Sequence, residues 1–246
     1  MTTDETVESL FASQAVTYDD LTEWRISSSV LQPLADLAGR GPGRVVDVGA
    51  GTGIVGRALS ELGWTVVGLD LVPQMLFRAK DRTRYRVLGT AEILPFADDS
   101  LVGTAFRQVF HYVDDLLAIH EAARVTRRGG WLVAADVVVM DPLDLAWWEE
   151  VKRFVQPLRR RVYTRDSHLA LFKRSGWKVE AVHEAWIQRS DTWDVFHARV
   201  REPVQMERVT RLVRDAADGG VHFSITADSR GVSYAQAWQL VRARRV

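Results

Sequence analysis

The residues best placed to do chemistry begin with an acid inside an apolar run. Val45-Val46-Asp47-Val48 leads into Gly49-Ala50-Gly51-Thr52-Gly53, so a strand carrying a carboxylate turns through three glycines spaced two apart. Burying a carboxylate in a central strand is costly without a partner, and Asp47 therefore predicts a polar ligand over this turn. The glycines let the backbone approach that ligand closely, and the helix that follows offers free N–H groups at its start. Asp70 closes the next apolar run. An acid roughly 20 residues beyond such glycines typically accepts hydrogen bonds from ribose hydroxyls. The same turn also contains Gly51-Thr52-Gly53-Ile54-Val55-Gly56, a literal match to the dinucleotide fingerprint. In a nicotinamide enzyme the first glycine follows the strand almost directly. Here the strand ends near Val48, the loop spans Gly49 to Gly53, and Gly56 falls inside the helix.

Short apolar runs alternating with amphipathic stretches must position these residues. Strands are predicted at 44–48, 64–70, 85–88, within 105–110 and at 131–138, with helices at 54–62, 73–80 and 116–125 between them. That alternation builds an α/β fold, a mostly parallel sheet covered by helices on both faces. Ligands bind such sheets beyond the carboxyl ends of the strands. Residues 5–38 read as helical. After the fifth strand come a helical segment at 142–163 rich in Trp, Arg and Phe, a helix at 166–175, a strand from Trp177 to Ile187, a second helical segment at 191–217, and a last strand from Tyr234 to Ala243.

Composition narrows the class. The chain has 246 residues and 47% hydrophobic content, which suits one α/β domain with insertions. Formal net charge is zero, so the chain as a whole does not attract nucleic acid. There is no cysteine, which excludes disulfides, thiolate nucleophiles and cysteine metal sites. The polar, acidic start Met1-Thr2-Thr3-Asp4-Glu5 is unlike a signal peptide, and no apolar run approaches the roughly 18–20 residues that span a bilayer. These features predict a cytoplasmic protein with no membrane partner. They leave its oligomeric state open.

The glycine loop with Asp47 resembles motif I of the class I S-adenosylmethionine-dependent methyltransferases. Thr90-Ala91-Glu92-Ile93-Leu94-Pro95-Phe96 resembles a segment of the UbiE-like, type 11 branch of that family, and Asp98-Asp99-Ser100 matches its acidic turn. Arg107-Gln108-Val109-Phe110-His111-Tyr112-Val113-Asp114 resembles the segment that ends its fourth strand, with Tyr112 where a second histidine is usual. Arg127-Arg128-Gly129-Gly130 resembles its turn before the fifth strand, with Arg128 where proline is usual. The resemblance is good over about residues 5–140.

The resemblance implies a Rossmann-like, doubly wound, mostly parallel seven-stranded sheet with helices on both faces and helical cap segments. It implies one domain over 1–246, with a helical cap at 1–40, a cofactor-binding core at 41–140 and acceptor-side insertions with the last strands at 141–246. The cofactor would be S-adenosylmethionine, held by Tyr18, Asp47, Gly49, Ala50, Gly51, Gly53, Asp70, Leu71, Ala91, Glu92 and Gln108. Asp47 and the glycine loop would hold the methionine portion, Asp70 the ribose, and Ala91 and Glu92 the adenine. The Tyr18-Asp19 pair would close over the methionine end. His111 would face the space between cofactor and acceptor, where a side chain with a pKa near neutrality can act as general base, with a structural or orienting histidine as the commoner alternative. Asp136, inside the fifth strand, could reach the acceptor pocket or equally pair with a local arginine.

The acceptor would be a small organic molecule. Trp147, Trp148, Phe154, Trp186, Trp193 and Phe196 suggest that it is apolar or aromatic. A methyltransferase-fold enzyme that binds the cofactor without methylating, or a nicotinamide-dependent oxidoreductase, is the alternative. No P-loop, no G-x-S-x-G elbow and no H-E-x-x-H is present, and the six histidines lack metal-ligand spacing, so no metal is expected. Lys152, Arg153, Arg159, Arg160, Arg161 and Arg165 form a local basic patch that could bind RNA or an anionic substrate but reads first as a solvated helix face. The tetrapeptide of the amino-methyltransferases that act on bases is absent, which argues against nucleic acid.

Overall fold

The computed structural model describes residues 6–19, 28–198, 200 and 202–246. The expected helix over 20–27, part of the helical cap expected over 1–40, and Arg199 and Arg201 of the second helical segment lie outside the described residues.

Arg44–Val48 (β1) is a β-branched run, buried from its second residue onward. It pairs in parallel with Thr65–Asp70 (β2) and Leu101–Arg107 (β4). Tyr85–Leu88 (β3) extends the sheet beyond β2, and Thr126–Val139 (β5) extends it beyond β4, both in parallel. Gly231–Arg245 (β9) then pairs antiparallel with β5, and Trp177–Thr192 (β7) antiparallel with β9. The main path β3-β2-β1-β4-β5-β9-β7 is the expected seven-stranded, mostly parallel sheet. Two short strands hang from it: Tyr163–Thr164 (β6) on β5 and Ile225–Ala227 (β8) on β9.

Strand order reverses between β1 and β4, the point where ligands gather in open α/β sheets. Ser28–Ala38 (α2) and Ile54–Glu61 (α3) cover one face through Val30, Leu34 and Leu59. Asp115–Val125 (α5) and Arg165–Lys173 (α7) cover the other through Ile119 and Phe172. Leu145–Val155 (α6), Trp193–Phe196 (α8) and Pro203–Ala217 (α9) share a separate apolar cluster with β8 and the start of β9. Val7–Gln14 (α1) lies against Pro73–Arg78 (α4), with Ala15, Val72 and Met75 buried between them.

Several expected boundaries shift for local reasons. The fourth strand runs 101–107 instead of within 105–110, because Gln108 takes a left-handed φ of 61° and turns the chain out of the sheet. Val109 and Phe110 are buried in the turn that follows. The glycines expected as a turn before the fifth strand form a bulge inside it instead. The register passes from Leu101↔Thr126 to Gly103↔Trp131, leaving Arg127 to Gly130 looped out. Gly103 allows this, since a Cβ there would lie 2.4 Å from the Trp131 ring. The segment expected as helix over 142–163 is helical only to Val155, and Tyr163 joins the sheet. The three residues of β8 carry too little alternation to be read from sequence.

Candidate functional site

A cavity of about 510 Å³ opens at the carboxyl ends of β1, β2, β3 and β4, with α1 and Tyr18 over it. Of the residues expected around a cofactor, the structure brings Tyr18, Gly49, Gly51, Asp70, Leu71, Ala91, Glu92 and Gln108 to its wall. Asp47, Ala50, Gly53 and His111 are not on that wall.

The glycine loop has a different reason for each glycine. Gly49 takes φ 66°, and a Cβ there would come 2.5 Å from Val109 Cγ2. Gly51 takes φ 54° with nothing near its Cβ position, so its backbone faces open space in the cavity. Gly53 starts α3 at φ 83° and packs on Thr83, which makes it a turn residue behind the wall. Ala50 is buried, and its N–H donates to the Leu69 carbonyl at 2.9 Å. Gly56 lies inside α3 against Thr83, as expected for a helix residue and unlike the third glycine of a dinucleotide turn.

Asp70 is the most committed carboxylate of the wall. Oδ2 accepts the Gly51 N–H at 2.7 Å and Oδ1 accepts the Val72 N–H at 2.9 Å. It thereby fixes both the glycine loop and the start of α4 while lining the cavity. Burial raises its pKa, and the backbone hydrogen bonds work in the opposite direction. Glu92 Oε1 accepts the Asp114 N–H at 3.0 Å, tying the Ala91-Glu92 segment to the N-terminus of α5. Gln108 donates its backbone N–H to Ala135 at 3.0 Å, while its buried Nε2 has no hydrogen-bond partner among the described residues. A strained non-glycine backbone bearing an orphaned buried donor is the local signature of a ligand contact.

Asp47 sits below the loop, 1% exposed. Burial pushes its pKa up to about 7, against a backbone hydrogen bond from Gly56. An acid whose folded pKa exceeds its unfolded value of 3.8 favours the folded state at low pH. That advantage is lost as pH rises toward 7. Asp47→Asn removes this dependence. The stability of the variant relative to the parent should rise by up to about 4 kcal/mol between pH 4 and pH 8, read by urea unfolding at the two pH values. A constant difference would show that Asp47 is ionised throughout.

The strap over the loop was only half visible in the sequence. Asp19 accepts from Thr52 Oγ1 at 2.7 Å and from Arg82 Nη1 at 2.6 Å, and the same nitrogen reaches the Thr52 carbonyl at 3.1 Å. This fastens the segment bearing Tyr18 to the glycine loop. Arg82 had no motif to mark it, because it follows α4 in an irregular stretch. Asp19→Ala should weaken ligand binding in the cavity about 5–10-fold, the worth of a partly exposed ion pair near 1 kcal/mol. Arg82→Met should do the same and should not add to it. Calorimetric titration of the two single variants and the double variant checks this, and full additivity would dissolve the strap. Arg107, Tyr112 and Arg160 also reach the cavity wall. Arg107 and Tyr112 stand in the segment that resembles the end of the family's fourth strand and Arg160 in the basic patch, but no motif singles out any of the three.

His111 is not where the sequence reading put it. It is 1% exposed and lines neither this cavity nor the second one described below. Its Nδ1 lies 2.9 Å from Asp136 Oδ1. Asp136 is fully buried and also lines neither cavity, so its expected reach to an acceptor pocket is not seen. Behind it His168 Nε2 stands 3.9 Å from Asp136 Oδ2, and His168 Nδ1 lies 2.8 Å from Gln239 Oε1. Burial lowers the His111 pKa well below 6.5, helped by the positive charges of Arg159 and Lys152. Burial raises Asp136 to about 7 and lowers His168 to about 4. The imidazole ring of His111 packs on Tyr112, ring centroids 4.4 Å apart, and Tyr112 is on the wall.

A second cavity of about 300 Å³ lies at the end of β5, under α6. The Arg159-Arg160 stretch runs between the two spaces, with Arg160 on the first and Arg159 on the second, and the Arg160 N–H donates to the His111 carbonyl at 2.8 Å. Among the described residues no cluster of His, Asp and Glu could hold a metal ion, and no helix is long and apolar enough to cross a membrane.

Residues 46–134 match the methyltransferase domain family. An uncharacterized methyltransferase of Mycobacterium tuberculosis, Rv3342, is 39% identical over 127 residues, 48% of this chain and 51% of that protein. The chain thus spans about half the length of the curated relatives it matches first. The crystal structure of the YcgJ protein of Bacillus subtilis superposes with a TM-score of 0.71 at 22% identity, covering 87% of this chain and 97% of that one. Geranyl diphosphate C-methyltransferase from Streptomyces coelicolor, solved with Mg2+, geranyl diphosphate and S-adenosyl-L-homocysteine, superposes with a TM-score of 0.60 at 15% identity, covering all of this chain and 86% of that one.

Proposed function

We propose that the chain, whose residues 46–134 match the methyltransferase domain family, transfers a methyl group from S-adenosylmethionine to a small organic acceptor of apolar or aromatic character. The observation that carries this is the convergence of Gly49, Gly51, Asp70, Ala91, Glu92 and Gln108 on one cavity, at the reversal of strand order. The cavity volume of about 510 Å³ falls within the range of about 300–1,000 Å³ common for ligand sites. The orphaned Gln108 Nε2 and the open side of Gly51 fit a ligand rich in acceptors.

In this reading Asp70 holds the ribose hydroxyls. Ala91 and Glu92 border the adenine. Gly49 and Gly51 let the loop backbone approach the methionine portion, and Tyr18 covers it from above. Asp47, Ala50 and Gly53 shape the loop from behind. Bound there, the cofactor supplies a methyl group on a sulfonium that is already electrophilic. The chain has only to align a nucleophile with it and exclude water. The Arg159-Arg160 stretch borders both cavities, and this is where such alignment would be imposed. Cofactor binding falls mainly to residues 41–140, with Tyr18 of the N-terminal cap over them, and acceptor binding to the end of β5 and residues 141–246, within a single domain over 1–246.

Calorimetric titration of the purified chain with S-adenosylhomocysteine tests the reading. Micromolar binding supports it. No binding, with reduced nicotinamide dinucleotide bound instead, would end it.

A further inference from the structure

The second cavity has a chemistry of its own. Its floor is apolar and aromatic: Val137 and Val139 from β5, with Trp148 and Phe223, whose ring centroids are 5.0 Å apart. Two cations enter this lining. Lys152 is only 5% exposed and holds its ammonium 5.2 Å from the centre of the Trp148 ring. Arg159 donates through Nη1 to Gln156 Oε1 at 3.3 Å, while Nε and Nη2 are shut from solvent and have no hydrogen-bond partner among the described residues. Those two nitrogens form one edge of the guanidinium, the fork that matches two oxygens of a carboxylate or phosphate. Leaving such donors buried and unpaired is costly.

The carboxylates around the cavity are otherwise engaged. Asp144 accepts from the His222 backbone N–H at 3.0 Å and lies 3.0 Å from its Nδ1. Asp141 accepts the Leu143 N–H at 2.9 Å. Asp136 is bonded to His111 through Oδ1 behind the wall, and although its charge acts on Arg159, no hydrogen bond joins its Oδ2 to the guanidinium among the described residues.

We propose that this cavity binds the methyl acceptor, and that the acceptor is an apolar ring-bearing molecule with one anionic group, a carboxylate or a phosphate, seated on the Arg159 fork beside Lys152. This rests on the methyl-transfer reading for the word acceptor, and on the cavity alone for the anion.

The test uses three probes with one ring system: 2-naphthoate, 2-naphthyl phosphate and neutral 2-naphthamide. Each is titrated into the full chain with saturating S-adenosylhomocysteine, following tryptophan fluorescence, since Trp148 and Trp186 line the cavity. At least one anion should bind tenfold or more tightly than the amide, and the tighter one names the headgroup. Arg159→Gln should cost that anion tenfold or more and change the amide less than twofold. Lys152→Met should act in the same direction and decides the matter should Arg159→Gln fail to fold. Equal binding of anions and amide, or anion binding unchanged in a folded variant, would overturn the proposal. S-adenosylhomocysteine affinity measured on the same samples keeps the two readings apart. Its absence with anion binding intact removes the methyl-transfer reading and leaves the anion site standing.

Discussion

Asp70→Ala is expected to weaken S-adenosylhomocysteine binding by at least 100-fold while leaving the far-ultraviolet circular dichroism unchanged. Two losses combine. The first is direct: a carboxylate accepting from ribose hydroxyls makes charge-assisted hydrogen bonds worth about 1.5–3 kcal/mol each. The second is positional, because Oδ2 of the same side chain holds the Gly51 N–H at 2.7 Å and Oδ1 holds Val72 at 2.9 Å. Without it the glycine loop loses the partner that fixes its height over the cavity. About 3 kcal/mol in total corresponds to the 100-fold loss. Asp70→Asn keeps an acceptor for one of these partners and should fall between, about 10-fold weaker. Calorimetry gives both affinities. An Asp70→Ala chain that binds as well as the parent would mean that the ribose, or the cofactor, lies elsewhere.

His111→Ala is expected to cost about 3 kcal/mol of stability and to change S-adenosylhomocysteine affinity less than threefold. His111 and Asp136 are a buried pair 2.9 Å apart, and removing one member of such a pair typically costs about 3–5 kcal/mol because the other is left unsatisfied. The pH dependence identifies the cause. Asp136 titrates near 7 in the folded chain, above its unfolded value of 3.8. Its folded form therefore keeps a proton that the unfolded chain releases, and stability falls as pH rises from about 4 to 7. His111 runs the other way. Its folded pKa lies below 6.5, so the unfolded chain takes up the proton first and stability is lost as pH falls below 6.5. In His111→Ala only the carboxylate slope remains, and the partner that stabilised the ionised form is gone. The stability loss should thus be larger at pH 8 than at pH 5, as measured by urea unfolding. A variant as stable as the parent, but slowed in methyl transfer at saturating acceptor, would instead make His111 a general base.

The sheet was legible because its signals are local. Val45 to Val48 and Thr65 to Asp70 are β-branched or apolar runs closed by glycine or acid, and their ends lie within a residue or two of expectation. Gly49, Gly51, Asp70, Ala91 and Glu92 were legible as members of ordered motifs, and the structure gathers them on one wall. What escaped depended on contacts between distant segments. Gln108 turns left-handed with its N–H on Ala135, so the fourth strand stops sooner than its apolar sequence suggests. His111 sits in a segment whose neighbours do reach the cavity, yet its side chain turns to Asp136 from β5. Arg82 meets Asp19 across 63 residues, and Arg159 belonged to a basic patch that reads as surface until its buried edge is seen. The second cavity required knowing how α6 and β9 come together.

The place of β9 has a consequence for how the chain is made. Residues 231–245 do not form a rim strand; they lie between β5 and β7, pairing with both. While a ribosome is still emitting them, β5 and β7 each carry an unsatisfied edge, and β7 is 16 residues long. The parallel half of the sheet, β1 to β5, can pair during synthesis, whereas β7 must wait for β9. The nascent chain is then most exposed to strand-to-strand aggregation after β1 to β5 have paired and before β9 has been inserted.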